Sequence, residues 1–341
     1  MDFNLTPEVD ETRQAIRRFV ADNLLPLESD PASFDDHENI RLDLLDTMRE
    51  KAKAQGLWSL SMPTERGGRA FDRVGMAACY EEMNRSIFGP VVFNAAAPDD
   101  GNMFVLNKVA TEAQKEKWLQ PIIDGTVRSS IVMTEPAPGA GSDPAGMMKT
   151  RAEKKGDTWV VHGHKWFITG AGVADHFILL ARTSDDARRN LTAFLFHKDQ
   201  PGWEIVRRIP IMGPEEHGGH CELKFDGLEI PDENRLMGIG EGMKCVQIRL
   251  GTARLTHCMR WLGLADRALD LCREYLGHRE TFGRKLWEHQ QVQMMLAKNA
   301  TAIHAGNLMT VHCAEMLEAG KSKEARPYSS MCKWHVAKLL C

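Results

Sequence analysis

The sequence predicts an α+β protein in which a middle β domain stands between an N-terminal helical domain and a C-terminal helical bundle. Residues 1–127 carry apolar side chains at helical spacing, and this spacing returns over residues 241–341. Between them, residues 128–240 hold short runs of Val, Ile, Phe and Trp separated by Gly, Asp, Asn and Pro, which is typical of a barrel or sandwich. A chain of 341 residues is long enough for two or three domains.

The N-terminal domain is predicted to be a series of helices. Residues 6–8, Thr-Pro-Glu, form a helix start with a hydroxyl cap, a proline at the first position and an acid near the positive end. Pro26 is expected to end this first helix. Thr111 and Gln114 have the spacing of a capping box. Further helices are predicted over residues 42–55, 75–85, 101–110 and 111–119.

The middle and C-terminal domains differ in their apolar period. Short runs rich in β-branched and aromatic residues predict strands over residues 130–133, 159–162, 166–169, 177–181, 192–197, 204–207 and 221–225. Helical spacing predicts a helix through residues 255–272 and a second over residues 289–317, which Gly320 ends. A third helix is expected to begin after Pro327 and to be still running at Cys341, so the C-terminal bundle is expected to be incomplete.

The composition limits the classes of function. Hydrophobic residues make up 43% and charged residues 26%, as in an ordinary globular protein, and the net charge of −4 argues against a nucleic-acid or anionic-membrane partner. The eight cysteines are scattered and form no Cys-x-x-Cys pair, which favours a reducing compartment. The N-terminus resembles no signal peptide, and no apolar run is long enough to span a membrane. We therefore predict a cytoplasmic protein.

The most specific motif is Thr-Glu-Pro-Ala-Pro-Gly-Ala-Gly-Ser-Asp over residues 134–143, directly after a predicted strand. Small residues at a loop tip let backbone N–H groups approach a phosphate or a flavin edge, and Thr134 and Ser142 add hydroxyl groups. Glycines 238, 240 and 242 do not form a dinucleotide-binding fingerprint, because no βαβ unit surrounds them. The histidines show no spacing typical of a zinc site, and no metal is predicted.

Two further motifs accompany this loop. The aromatic pair Trp166-Phe167 on a predicted strand should turn one ring away from the core, where it could cover a flat cofactor, and Thr169 could hydrogen-bond a flavin ring nitrogen. Residues 279–283, Arg-Glu-Thr-Phe-Gly, precede His289-Gln290 at a helix start, which suits a phosphate and an adenine. Taken alone, residues 279–283 are better explained as a turn between two helices with a solvated charge.

The three motifs, in this order and in this helical–β–helical frame, resemble the acyl-CoA dehydrogenase family over residues 1–341. Finer features resemble the branch of acyl-CoA dehydrogenase family members ten and eleven. These features are residues 97–103, Ala-Pro-Asp-Asp-Gly-Asn-Met, residues 218–222, Gly-Gly-His-Cys-Glu, and residues 249–260, which begin Arg-Leu-Gly-Thr-Ala-Arg.

The resemblance implies a site and a reaction. The implied FAD contacts are Met133, Thr134, Ser142, Phe167, Ile168, Thr169, Arg279, Phe282, His289 and Gln290. The last four would reach FAD across a subunit interface, so a homodimer or homotetramer is expected. Ser142 and Arg254 are the implied contacts of the acyl-CoA substrate. The implied activity is that of a flavoprotein oxidoreductase of fatty acid β-oxidation, which converts an acyl-CoA thioester to the 2-enoyl-CoA and passes electrons to an electron-transfer flavoprotein.

Two departures from the family pattern affect these expectations. The loop carries two extra residues, Ala137 and Pro138, and Phe167 stands where tryptophan is more frequent. Neither the residue before Arg254, which is Ala253, nor its neighbours supply a carboxylate, so the catalytic base is expected beyond Cys341 and no catalytic residue is assigned. Two alternatives stay open: a catalytically silent subunit of a hetero-oligomer, and a flavin oxidase of the same fold. The length, branching and hydroxylation of the acyl chain are not predicted.

Overall fold

A computed structural model of the protein describes residues 4–186 and 188–340. Its element order is helical, β, helical, and the predicted fold class is confirmed. No helix among the described residues is both long and apolar enough to cross a membrane.

The N-terminal domain is built from short helices, and its caps are those that the sequence predicts. The Thr6 hydroxyl accepts from Val9 N at 3.3 Å, and Thr111 and Gln114 cap each other in a reciprocal capping box. The helices are α1 Pro7–Phe19, α2 Leu25–Glu28, α3 Leu42–Ala54, α4 Arg73–Met83, α5 Gly89–Val92, α6 Asp99–Val109, α7 Glu112–Gln114 and α8 Gln120–Asp124, with π-helical turns at Val20–Leu24 and Lys115–Leu119.

The sequence predicted that Pro26 ends the first helix, and this prediction is wrong. A π-helical turn continues α1 directly into α2, where Pro26 occupies the first turn. A proline costs little there, because the first N–H groups of a helix have no partner within it.

The middle domain is one eight-stranded sheet. Its strands are β1 Ser129–Val132, β2 Arg151–Lys155, β3 Thr158–Thr169, β4 His176–Arg182, β5 Leu191–His197, β6 Trp203–Ile209, β7 His220–Pro231 and β8 Arg235–Leu236, and α9 Pro144–Met147 lies in the loop after β1. The strands pair in the order β6-β7-β3-β2-β4-β5-β8, with β1 parallel to β4. Strands β4 and β5 are buried along almost their whole length, because one face packs on the helices and the other on the domain's own core.

Two predicted strands, 159–162 and 166–169, are a single strand, β3. Gly163, which suggests a turn in the sequence, lies inside that strand where the Thr150 side chain leaves no room for a Cβ atom. Strand β2 was not predicted from the sequence, because only Ala152 of its five residues is buried and no apolar pattern marks it.

Three helices make up the C-terminal domain: α10 Gly242–His278, α11 Gln290–Glu318 and α12 Ser322–Val336. Between α10 and α11 lies a small hairpin of β9 Glu280–Thr281 and β10 Arg284–Lys285. Helix α12 begins five residues before Pro327 and contains it, and it ends at Val336, so both predicted limits of this helix are wrong. Cys341 lies outside the described residues.

The helical domains share one apolar core. Side chains of α1, α3 and α4 pack with those of α10, α11 and α12, including Ile16, Leu45, Tyr80, Leu262 and Val336. The long helix α10 therefore ties the N-terminal domain to the C-terminal domain, and it also contacts α6 and β5.

Candidate functional site

The loop that follows β1 is organised around the carboxylate of Glu135. This side chain is 1% exposed and accepts hydrogen bonds from the backbone N–H groups of Ala140 at 3.1 Å, Lys149 at 2.7 Å and Thr150 at 2.9 Å. The fully buried Lys165 ammonium lies 3.1 Å from the same carboxylate. The carboxylate thus fixes both ends of residues 135–150, the segment that carries Ser142.

Charge and burial oppose each other in this pair. Burial alone would raise the pKa of Glu135, but the Lys165 ammonium and the hydrogen bonds from Thr150 and Lys149 outweigh burial and lower the pKa to about 2. Burial lowers the pKa of Lys165 to about 8, against the opposing effect of Glu135. Because Glu135 is ionised, sealed and saturated with donors, it cannot serve as a proton acceptor for a substrate.

The first residues of the loop are attached to β3. Lys165 Nζ donates to Met133 O at 2.8 Å. Trp166 N donates to Thr134 O at 3.1 Å, and the Thr134 hydroxyl donates to Trp166 O. These bonds place Met133 and Thr134 beside the aromatic pair, so the structure brings the first two motifs together. Ser142 is exposed midway along the loop between β1 and β2.

A bulge in β3 exposes the aromatic ring of Phe167. The pairing of β3 with β7 shifts between Lys165 and Ile168, so two residues of β3 oppose one of β7. Phe167 adopts a positive φ of 51° and is 45% exposed, whereas Ile168 is 1% exposed and packs in the sheet core. The prediction that one aromatic ring turns away from the core is confirmed. The Ile168 side chain faces the core, so only its backbone is available to a ligand.

Thr169, at the end of β3, is joined to two residues that sequence analysis left without a role. Its hydroxyl lies 3.0 Å from Nδ1 of His220, and Nε2 of His220 lies 3.1 Å from the Glu216 carboxylate. Gly218 and Gly219 both adopt positive φ, which lets the chain turn sharply before His220 and pair with residues 170 and 172 of the neighbouring loop.

A cavity of about 340 Å³ lies beside this group, between the N-terminal domain, α10 and the segment before β7. Its lining combines apolar residues with Arg128, Glu216, His217, His257 and Arg260. Burial, aided by Arg260, lowers the pKa of His257 to about 3, so the imidazole is neutral and its Nδ1 accepts from Arg260 Nη2 at 2.9 Å.

Arg260 and Asp100 form the buried centre of a hydrogen-bond network next to this cavity. Arg260 Nη1 donates to Asp100 at 3.1 Å and to Ala95 O at 2.7 Å, and the Tyr80 hydroxyl donates to Asp100 at 2.9 Å. Sequence analysis included Asp100 and Arg260 only within segments that resemble one branch of the family. Their mutual contact links residues 160 positions apart, which no local pattern reveals.

The remaining predicted site residues lie on the C-terminal domain. Arg279 and Phe282 belong to the β9–β10 hairpin, where Phe282 is 97% exposed with a φ of 52°. His289 contacts Thr281 and the edge of Phe282, and Gln290 begins α11. No hydrogen bond or ring contact of residues 4–186 and 188–340 joins this group to the loop after β1. Arg254 is exposed on α10.

The fold is that of a three-domain protein, in which a sheet with an anchored loop beside an exposed aromatic ring lies between two helical domains. Three family models match the chain: acyl-CoA dehydrogenase N-terminal domain over residues 6–126, middle domain over residues 130–228 and C-terminal domain over residues 240–341. The chain therefore belongs to the acyl-CoA dehydrogenase family.

Curated relatives agree with the branch that the sequence suggests. Acyl-CoA dehydrogenase family member 11 of Rattus norvegicus is 33% identical over 97% of this chain and 44% of its own length. Family member 10 of Mus musculus is 33% identical over 94% of this chain and 31% of its own length. The chain thus spans less than half of these relatives.

Solved structures show the same fold over nearly the whole chain. A putative acyl-CoA dehydrogenase from Mycobacterium abscessus has a TM-score of 0.86 and 31% identity, with 98% of this chain and 88% of that chain covered. Butyryl-CoA dehydrogenase from Megasphaera elsdenii has a TM-score of 0.80 and 28% identity, with 98% and 87% covered. A chain in a structure titled for the electron transferring flavoprotein of Acidaminococcus fermentans has a TM-score of 0.83 and 28% identity, with 99% and 86% covered.

Proposed function

We propose that this chain is the flavin- and acyl-CoA-binding part of an acyl-CoA dehydrogenase, which removes hydrogen from the α and β carbons of an acyl-CoA thioester. The observation that carries the proposal is the exposed Phe167 ring on the β3 bulge, directly beside a loop that Glu135 and Lys165 hold in place. The bulge turns the ring to solvent where the sheet meets the anchored loop, and this leaves a flat apolar face open to a planar ligand.

The residues around this bulge fit a flavin. Phe167 offers a flat apolar face, Thr169 offers a hydroxyl, and the loop offers small residues with a serine at its tip. Met133, Thr134, Ser142, Phe167, Thr169 and the backbone of Ile168 would hold the ring system and the nearer phosphate. FAD, when bound, supplies the acceptor for the hydride that leaves the β carbon.

The β9–β10 hairpin supports a site shared between subunits. Phe282 exposes 97% of its side chain, and Arg279 is exposed beside it. We assign Arg279, Phe282, His289 and Gln290 to the FAD of a neighbouring copy, which makes the protein a homodimer or homotetramer. An arginine suits a pyrophosphate because its guanidinium donates in a planar fork.

For the substrate, Ser142 and Arg254 are assigned to the CoA thioester, and the cavity beside Glu216 and Arg260 to the acyl chain. Electrons would pass to an electron-transfer flavoprotein. The free thiols at all seven described cysteines support a cytoplasmic location. Glu135 is excluded as the base by its contacts, and a base beyond Cys341 stays a prediction.

The first test is FAD retention and flavin reduction in the natural full-length protein. Purified protein should be yellow and release FAD on acidification, and saturated acyl-CoAs should bleach the flavin under anaerobic conditions. Phe167→Ala should weaken FAD retention by about 5- to 150-fold, since loss of one aromatic stacking contact costs about 1–3 kcal/mol. Trp334→Ala, which removes an exposed aromatic ring from α12, is the matched control and should retain FAD.

The alternatives give different results in the same experiment. A silent subunit would bind FAD without bleaching, and an oxidase would form hydrogen peroxide without an added electron acceptor. Protein that takes up no FAD in either redox state contradicts the proposal as a whole.

A further inference from the structure

Three side chains form a hydrogen-bonded chain that runs from the cavity to the end of β3. Glu216 lines the cavity, its carboxylate lies 3.1 Å from His220 Nε2, and His220 Nδ1 lies 3.0 Å from the Thr169 hydroxyl. The His220 side chain is 16% exposed and the Glu216 side chain 48% exposed. Glu216 is therefore more open to solvent protons than His220.

Among the described residues, few other charged groups face the hydrogen-bonded series Glu216–His220–Thr169. Arg208 of β6 is paired with Glu215, and both lie close enough to affect His220. His257 of α10 faces Glu216 from the helical side. The hydrogen bond to Glu216 raises the pKa of His220, against the opposing effect of burial. The Glu216 carboxylate therefore favours the protonated form of His220.

The direction of the Thr169 hydrogen bond depends on the proton at His220. Glu216 holds the Nε2 proton, so a neutral His220 has a bare Nδ1 that accepts from the Thr169 hydroxyl. The Thr169 oxygen then offers only lone pairs to any other group. When His220 is protonated, Nδ1–H donates to Thr169, and the Thr169 hydrogen is free to be donated elsewhere.

We propose that Glu216 and His220 act as a positioning relay that sets the direction of the Thr169 hydrogen bond and thereby tunes the flavin ring. The inference rests on the proposed function, in which Thr169 contacts that ring. A ring nitrogen of oxidised flavin accepts a hydrogen bond, whereas the same nitrogen carries a hydrogen in reduced flavin. The two protonation states of His220 therefore favour different oxidation states of the cofactor.

The test is the midpoint potential of the bound flavin as a function of pH in the FAD-loaded protein. Wild type should show a break at the titration of His220. In Glu216→Gln the break should move to lower pH, because the partner that raises the pKa of His220 has lost its charge. In His220→Asn, whose amide keeps a polar group near the Nδ1 position, the break should vanish while FAD stays bound. A merely structural role would leave the position of the break unchanged.

His164→Asn is the matched control. His164 pairs with Glu222 at 2.6 Å on the same two strands, so its loss removes an equivalent imidazole–carboxylate pair without touching Thr169. Its potential should follow that of wild type. Identical profiles for wild type, Glu216→Gln and His220→Asn would overturn the relay.

A second readout separates this inference from the proposed function. Nitrogen NMR of labelled histidines in FAD-free protein should show neutral His220 with its proton on Nε2, and Glu216→Gln should lower its pKa. If neutral His220 carries its proton on Nδ1, or if Glu216→Gln leaves the pKa of His220 unchanged, the relay is overturned even if FAD binds. Failure of wild type to bind FAD would instead contradict the proposed function, and the NMR result would still decide whether the pair exists.

Discussion

Replacing Glu135 by glutamine should loosen the loop after β1, because this carboxylate holds the loop in place. The variant keeps one carbonyl oxygen for the three backbone donors but loses the charge that pairs with Lys165. It therefore leaves a fully buried ammonium without a counter-charge, which generally costs about 3–5 kcal/mol.

The pKa of Glu135 gives a similar magnitude. Its fall from 4.5 to about 2 corresponds to about 3 kcal/mol of preference for the ionised form in the folded protein. Because the folded-state pKa is depressed, this stabilisation is present above about pH 4.5 and is lost as the pH falls toward 2. Glu135→Gln should lose this contribution at neutral pH and show a weaker loss of stability in acid.

The assay is urea unfolding monitored by circular dichroism. FAD affinity is measured as well, since a frayed loop should release the cofactor. Glu153→Gln on β2 is the control, because that glutamate is exposed and its loss should change stability by less than about 0.5 kcal/mol. The double variant Glu135→Gln, Lys165→Met should recover part of the loss, since it also removes the unpaired charge. An unchanged midpoint in Glu135→Gln would refute the role of this pair.

Two further variants test the subunit contact and a buried acid. Arg279→Ala should weaken FAD retention and oligomer stability together, whereas Arg284→Ala in the same hairpin should change neither; light scattering that shows a monomer with full flavin would contradict this. Glu81→Gln should raise the stability of the protein at alkaline pH. Burial raises the pKa of Glu81, with Asp266 acting in the same direction, so wild type loses stability as the pH rises through the titration of this carboxyl group. The measurement is urea unfolding of wild type and Glu81→Gln between pH 5 and pH 8. A difference in stability that stays constant over this range would show that reasoning to be wrong.

Local patterns predicted the helix caps and the exposed ring of the site, because their causes lie within a few residues. Thr6, Thr111 and the paired aromatics at 166–167 are examples. The ion pair of Glu135 with Lys165 was missed because its partners lie 30 positions apart and charged residues are usually solvated. The contact of His220 with Thr169 was missed for the same reason.

Tertiary packing explains where the local rules failed. Pro327 lies inside α12 because Ala325, Cys332 and Val336 bury that helix against its neighbours, which outweighs one lost hydrogen bond. The polar strand β2 exists because its backbone pairs with β3 along its whole length, although its side chains carry almost no apolar pattern.

The sealed position of Lys165 also bears on its nucleophilicity toward thioesters. A pKa of about 8 leaves about one in ten of its amino groups neutral at pH 7, against fewer than one in a thousand for an ordinary lysine. A neutral amine attacks a thioester and becomes acylated as the thiol leaves, so in solvent this lysine would be a reactive group in a protein that we propose to bind acyl-CoA. Because Lys165 is fully buried, a thioester cannot reach its amine. The Glu135 carboxylate and Met133 O accept hydrogen bonds from that amine. Burial therefore both lowers the pKa of Lys165 and blocks access to its amine. Acylation of Lys165 would then occur only when the loop opens, so it would measure how often the loop opens.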